Sequence, residues 1–243
     1  MDKLNIKHVS PANMVNMGGF HVRQPLPALG LENVDPFLLL HHAEVSYKNA
    51  RGASESGVGP HPHRGFSPVS FVFNGGVHHR DSLGNDSIVR SGGVQWINSG
   101  SGIMHSERPP ADLVGTDEEQ EFIQLWVNTP AEHKMDPPSY QGFDKEQLGS
   151  VKSADGKVEI LVVSGNINGE DGPVETNTEV ESAMGFAEPE GKITIKVNSN
   201  RQTMLYLLTG RANLNGTQIQ GKNLVVFDDG EGEIQIEVME ETK

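Results

Sequence analysis

Residues Gly57 to Glu107 alternate short β-forming runs with glycine-bearing turns, a pattern that restricts the stretch to successive β-hairpins. Val69-Ser70-Phe71-Val72-Phe73 reads as a strand. Asn74-Gly75-Gly76 after it is a tight-turn signal, because asparagine and glycine tolerate the positive φ that two-residue hairpin loops require. Val77 to Asp81 is the returning strand and Leu83-Gly84-Asn85-Asp86 the next turn. Ile88-Val89-Arg90 and Val94-Gln95-Trp96-Ile97 follow, separated by Ser91-Gly92-Gly93. With 28 glycines and 14 prolines among 243 residues, long helix-forming runs are scarce, and an all-β fold is expected.

Two triplets of one form bracket these hairpins: His61-Pro62-His63 and His105-Ser106-Glu107. Alternate side chains of an extended strand share a face, so each triplet can aim its two outer residues into one cavity. Together they offer three imidazoles and one carboxylate, a borderline-to-hard donor set that suits a divalent transition metal. Ligation by His61, His63, His105 and Glu107 leaves an octahedral ion with two open positions, room for a chelating substrate or for substrate and dioxygen together.

Elsewhere, Pro36 to Leu40 reads as a short apolar strand ending in His41-His42. Glu121 to Asn128 alternates as another strand, with Gln124 and Trp126 on one face. Residues 1 to about 30 are mixed, with Pro25-Leu26-Pro27 extended or turning. Thr129 to Asp144 is rich in proline and charge and reads as a connection between two halves. Val158 to Ser164 is a strand and Gly165 to Ser182 a polar loop. The second half repeats the first in outline. Thr203 to Leu208 before Thr209-Gly210 parallels the strand before Asn74-Gly75, and Leu224 to Phe227 before Asp228-Asp229-Gly230 parallels Val94 to Ile97. No histidine follows His133, so the second half cannot carry an equivalent three-histidine site. Two tandem β-barrels, one with metal and one without, are expected.

The formal charge of −14, with basic residues scattered, disfavours direct nucleic-acid binding, because the phosphate backbone would be repelled. The absence of cysteine excludes disulfides, thiolate ligands and a cysteine nucleophile. Met1 to His8 lacks the apolar core of a signal peptide, and Phe37-Leu38-Leu39-Leu40 is too short to cross a membrane. A soluble, cytoplasmic protein with no membrane partner is the expectation.

The chain resembles the pirins, a bicupin branch of the cupin superfamily. The resemblance rests on His61-Pro62-His63-Arg64-Gly65-Phe66, on His79-Arg80-Asp81-Ser82-Leu83-Gly84-Asn85, on Val94-Gln95-Trp96, and on Gly100-Ser101-Gly102-Ile103-Met104-His105-Ser106-Glu107. Asp35-Pro36-Phe37-Leu38, Gln124-Leu125-Trp126-Val127-Asn128 and His133-Lys134-Met135 add to it. It covers residues 20 to 140 well and the remainder in outline. It implies two tandem cupin barrels of the double-stranded β-helix or jelly-roll type: a metal-binding barrel over residues 1–135 and a C-terminal barrel without ligands over 136–243. It also implies one divalent metal, usually iron, on the counterparts of His61, His63, His105 and Glu107; nickel, copper, manganese, cobalt and zinc are the alternatives. Some family members are similar to quercetinases, which open the flavonol ring with dioxygen and release carbon monoxide. Others are regulators acting through protein partners.

The sequence departs from the family pattern at Ser67, where the general cupin first motif has a carboxylate, at Pro68, and at Ser91-Gly92-Gly93, where pirins usually have Pro-Gly-Asp. The expected activity is that of a pirin-type quercetin 2,3-dioxygenase acting on a flavonol-like aromatic and dioxygen. In that activity Glu107 has a second role as the base that takes the substrate's hydroxyl proton. Two other readings stand beside it. One is a non-catalytic, redox-responsive metal protein that acts through a protein partner. The other is a sugar-phosphate isomerase, for which Arg64, Arg80 and Arg90 are thin cationic support. His78-His79 must face opposite ways on a strand, so at most one approaches the pocket. The acidic run Asp117-Glu118-Glu119 reads as a solvated loop, and Gly100-Ser101-Gly102 as a turn that positions His105.

Overall fold

The computed structural model of the chain describes residues 1–17, 20–32, 34–197 and 202–243. Of the expected hairpins one forms as such, Gly76–Asp81 with Asp86–Arg90. At Asn74-Gly75 and at Ser91-Gly92-Gly93 the chain instead passes between two sheets, because Phe66–Asn74 pairs with Val94–Asn98 and not with the strand that follows it. Phe66–Asn74 turns into Gly76–Asp81, and Asp86–Arg90 leads to Val94–Asn98. Gly93 is required where it stands: a Cβ there would lie 2.7 Å from both the Phe143 carbonyl oxygen and Val89 Cγ1. Gly100, at φ 47°, opens the turn before Ile103–Arg108, and a Cβ on it would collide with the Asp136 carbonyl.

Two antiparallel sheets build the N-terminal barrel. The larger runs in the order Ser139–Phe143, Val94–Asn98, Phe66–Asn74, Glu119–Asn128, Phe37–Ser46, Phe20–Leu26 and Asn13–Met17. The smaller runs Val58–His63, Ile103–Arg108, Gly76–Asp81 and Asp86–Arg90. Buried Val72 of the first sheet packs against Val77 and Val89 of the second. Alternation gives the long central strands two distinct faces. His41, Ala43, Val45 and the cross-strand residues Gln120, Phe122, Gln124 and Trp126 line a cavity inside the barrel. Leu40, Ile123 and Leu125 face the other way, into a core shared with Leu161, Val163, Leu224 and Val226 of the C-terminal half.

The C-terminal half has its own apolar centre, formed by Leu207, Ala212, Leu214, Val225, Phe227 and Ile234. Its three larger sheets are Gly149–Lys152 with Val158–Ser164 and Ser182–Ala187; Lys192–Val197 with Gly232–Val238, Arg211–Leu214 and Thr217–Gln220; and Asn223–Phe227 between Met204–Leu207 and Ile6–Pro11. No helix among the described residues is long and apolar enough to cross a membrane.

Three further segments differ from expectation. Ile6–Pro11, in the mixed N-terminal stretch, pairs with Asn223–Phe227 and so belongs to the C-terminal half. Thr129 to Asp144 is more than a connection: Ser139–Phe143 within it is the edge strand beside Val94–Asn98. Sheet pairing therefore crosses the expected division at residue 135 in both directions. The polar stretch Gly165 to Ser182 contains a two-residue ladder, Asn166–Ile167 with Glu170–Asp171, and its Val174 and Val180 are buried in the shared core.

Candidate metal centre

Val58–His63 is the edge strand of its sheet, the one place where Pro60 and Pro62 can lack N–H donors at little cost. It pairs antiparallel with Ile103–Arg108 so that His61 lies directly opposite His105. His63, two residues along, shares their face. The register shifts between the His105 and Glu107 pairings, which places an extra residue in the Val58–His63 strand, at Gly59-Pro60. There the Gly59 carbonyl accepts a hydrogen bond from His61 Nδ1 at 2.8 Å, which leaves His61 Nε2 as a bare lone pair.

That lone pair lies 3.0 Å from His63 Nε2 and 3.0 Å from His105 Nε2. Nitrogens of all three rings fall within 4.8 Å of one another. Two imidazoles at right angles around one ion, each about 2.1 Å from it, would stand about 3.0 Å apart, so the donor set fits a divalent transition metal. Burial, reinforced by the neighbouring histidines, lowers His63 to about 4 and His105 to about 3, while Glu107 pulls His63 and Asp81 pulls His105 the other way. Both rings are thus neutral near pH 7, the state a ligand needs.

Glu107 stands apart from this convergence. It lines the same cavity as His61 and His63 but lies outside the three-histidine set. Its Oε1 accepts from Ser70 Oγ at 2.8 Å and from Gln95 Nε2, and its Oε2 accepts from Gln124 Nε2 at 2.7 Å. All four of these side chains are gathered by strand register: Ser70, Gln95 and Gln124 lie side by side on adjacent strands of the larger sheet. Ser67 is elsewhere; its hydroxyl donates to Asn98 Oδ1 at 3.1 Å.

The family model described as Pirin matches residues 19–127. Pirin-1 of Arabidopsis thaliana is 30% identical over 217 residues, 88% of this chain and 70% of the relative. The chain belongs to the pirin family. A pirin-like protein of Caulobacter vibrioides is 34% identical over 180 residues, 73% of this chain and 62% of that protein's length. Among solved structures, a quercetin 2,3-dioxygenase from Acinetobacter baumannii superposes with a TM-score of 0.88 at 28% identity, covering 99% of this chain and 84% of the other.

The cavity of this pirin measures about 680 Å³, within the range of small-molecule sites. Phe66 and Trp126 lie against each other at 4.5 Å between ring centroids, and His63 meets both edge-on. Tyr47 donates to Gln120 Oε1 at 3.1 Å, and burial pushes its phenol up to about 12. Of the aromatic and amide residues expected at the cavity, Gln124 and Trp126 line it and Gln95 reaches Glu107. Trp96 is buried in the core, with its indole nitrogen on Asn98 Oδ1.

The two histidine pairs split as alternation requires. His41 lines the cavity, where its Nε2 donates to Gln24 Oε1 at 3.0 Å; burial holds it down to about 4. His42 faces the C-terminal half, with Nδ1 3.1 Å from the Tyr206 hydroxyl and Nε2 3.2 Å from Glu121 Oε1. His42, Glu44 and Glu121 form a second cluster of donor atoms, but Lys243 pairs with Glu121 and Lys222 with Glu44, so its charge is already balanced by protein cations. His78 is bound to Asp86 toward solvent, whereas His79 is fully buried on Asp81 and stacks on Tyr140. Ser70 and Tyr140 are the contributors that sequence reasoning missed; neither a serine within an apolar strand nor a tyrosine after two prolines carries a chemical signal.

Proposed function

We propose that this pirin is a metal-dependent dioxygenase that opens flavonol-like aromatics with dioxygen, with iron(II) as its ion. One observation carries the reading: three imidazole nitrogens converge on the wall of an aromatic-lined cavity large enough for a three-ring substrate. When bound, the ion supplies a Lewis-acid and redox-active centre for a deprotonated 3-hydroxy-4-keto group.

The side chains do the rest. His61, His63 and His105 hold the ion, with Glu107 as the fourth donor. Phe66 and Trp126 offer apolar faces on which a planar ring packs. Glu107 also takes the substrate's hydroxyl proton. Ser70, Gln95 and Gln124 hold both of its oxygens in place. Val77, Phe122 and Trp126 give the cavity apolar walls around the reacting ring.

Anaerobic loading with each of iron, nickel, cobalt, manganese and copper, followed by a flavonol panel, tests this. A flavonol should shift the absorption band before oxygen is admitted, and oxygen uptake should then match flavonol loss. Absence of both with every metal sinks the flavonol reading and leaves the regulatory role through a protein partner.

A further inference from the structure

The His79-Arg80-Asp81 segment has no part in the reading above, yet it is built against the centre. In the smaller sheet Gly76–Asp81 pairs with Ile103–Arg108 so that Asp81 stands opposite His105 and His79 opposite Glu107. His79 and the Asp81 side chain are completely removed from solvent, and His105 is 2% exposed. A buried polar group in such a place needs a partner, and each of these has one.

Asp81 is bound from several directions. Its Oδ1 accepts from the backbone N–H groups of Leu83 and Asn85, and its Oδ2 from the Asn85 amide at 2.8 Å. Burial opposes its ionisation, but these bonds and the one from His79 hold the carboxyl below its usual range. As a carboxylate it can only accept, so the 2.8 Å contact to His79 Nε2 makes that nitrogen a donor. In the neutral ring His79 Nδ1 is then a bare lone pair. It faces His105 Nδ1 at 3.4 Å, and that nitrogen must carry the hydrogen. His105 Nε2 is left unprotonated, aimed at His61.

We infer that His79, oriented by Asp81, is a positioning residue that sets the tautomer of His105 and presents its Nε2 lone pair to the metal. An imidazole free to choose would put its proton on either nitrogen, and the wrong choice places a hydrogen where the ion belongs. The Gly59 carbonyl does the same for His61, so two ligands are preset, one by backbone and one by a carboxylate–histidine pair. Tyr140 packs flat on His79, centroids 4.0 Å apart and planes 9° from parallel, and fixes the plane of the ring, while Asp81 fixes which edge faces His105. Leu83 and Asn85 form the turn that anchors Asp81, and Ser82 Oγ ties that turn to Met104 N–H next to His105.

The inference rests on the metal-binding reading of His61, His63 and His105, and its test separates the two. Nitrogen-15 NMR of the apo protein reads the histidine tautomers directly. His105 should carry its proton on Nδ1, and His79→Phe, which keeps the ring stack on Tyr140, should release that preference. Cobalt(II) affinity, measured by competition with a chelator, should fall about 10- to 100-fold in His79→Phe. His79→Asn sets an acceptor oxygen near the place of Nδ1 and should recover most of the loss. Equal cobalt affinity in wild type and His79→Phe overturns the inference. So does a wild-type His105 protonated on Nε2, or a His79→Asn variant as weak as His79→Phe, which would point to packing alone. A wild-type protein with the expected tautomer but no cobalt binding overturns the metal reading instead, and the role of His79 with it. Near-ultraviolet circular dichroism of each apo variant checks that the fold is intact.

Discussion

Gln124 Nε2 donates to Glu107 Oε2 at 2.7 Å across the barrel interior, and this bond ties the carboxylate beside the three histidines to the larger sheet. The three histidines come from the smaller sheet, so Glu107 is shared between a histidine-bearing strand and a cage of amide and hydroxyl donors from the facing wall.

Replacing Gln124 with leucine leaves a buried carboxylate oxygen without its donor. The apo protein should lose about 1–3 kcal/mol of stability, the cost of an unmet buried acceptor. If Glu107 is the fourth ligand, metal should compensate the freed oxygen, and the deficit should shrink in the loaded protein. Urea unfolding of both forms measures this. An equal deficit with and without metal would argue that Glu107 stays outside the coordination sphere.

His105→Ala and His63→Ala should each strip most of the metal and leave a folded strand-rich protein, because the barrel places these strands without the ion's help. Loaded wild type should melt above its chelated form, by about 2.7 kcal/mol when free metal is a hundredfold over its dissociation constant. Metal content by mass spectrometry and melting curves read both. A chelated protein that unfolds at room temperature contradicts a preformed site.

Glu107→Gln keeps a neutral oxygen donor but removes the charge and the proton acceptor. Flavonol turnover should fall much further than metal content does. Parallel losses in the two measurements would reduce Glu107 to a ligand with no role as a base.

The cavity histidine His41 predicts an acid limb in stability. Burial lowers its folded value to about 4 from an ordinary 6.5, so the unfolded chain takes up a proton first as pH falls. The stabilisation is complete above pH 6.5 and is lost as pH drops toward 4, with a ceiling of about 3 kcal/mol. Glu121 acts in a lower window. Burial raises its carboxyl, but the bonds and charges of His42 and Lys243 prevail and hold it at about 2, so its contribution persists above 4.5 and fades below. His41→Asn should lessen the fall of the unfolding free energy between pH 6.5 and 4 by one histidine's share, His63 and His105 supplying the rest of that slope, while leaving the lower limb. Identical profiles for wild type and variant would refute the assignment.

The residues that could be read early are those whose position follows from local geometry. Period-two alternation put His61 with His63 and His105 with Glu107 on single faces, and glycines marked the turns between them, though not that two of those turns carry the chain from one sheet to the other. Alternation also separated His78 from His79, and His41 from His42. It could not say which member faced inward, because that depends on which sheet covers each face.

Longer-range relations had no local signature. Ile6–Pro11 and Ser139–Phe143 are short strands whose pairing energy comes from partners more than two hundred and about forty to fifty residues away in sequence, so each crosses the division that the family resemblance implied at residue 135. The ring of Tyr140 reaches His79 only because that edge strand closes the larger sheet. The amino-acid sequence by itself determined the all-β class, the histidine triplets and the family. Only the tertiary structure decided that Glu107 is held by Ser70, Gln95 and Gln124, and that His79 bears on His105. Hydrogen bonds of a few ångströms depend on how two sheets pack, and no residue spacing along one strand encodes that.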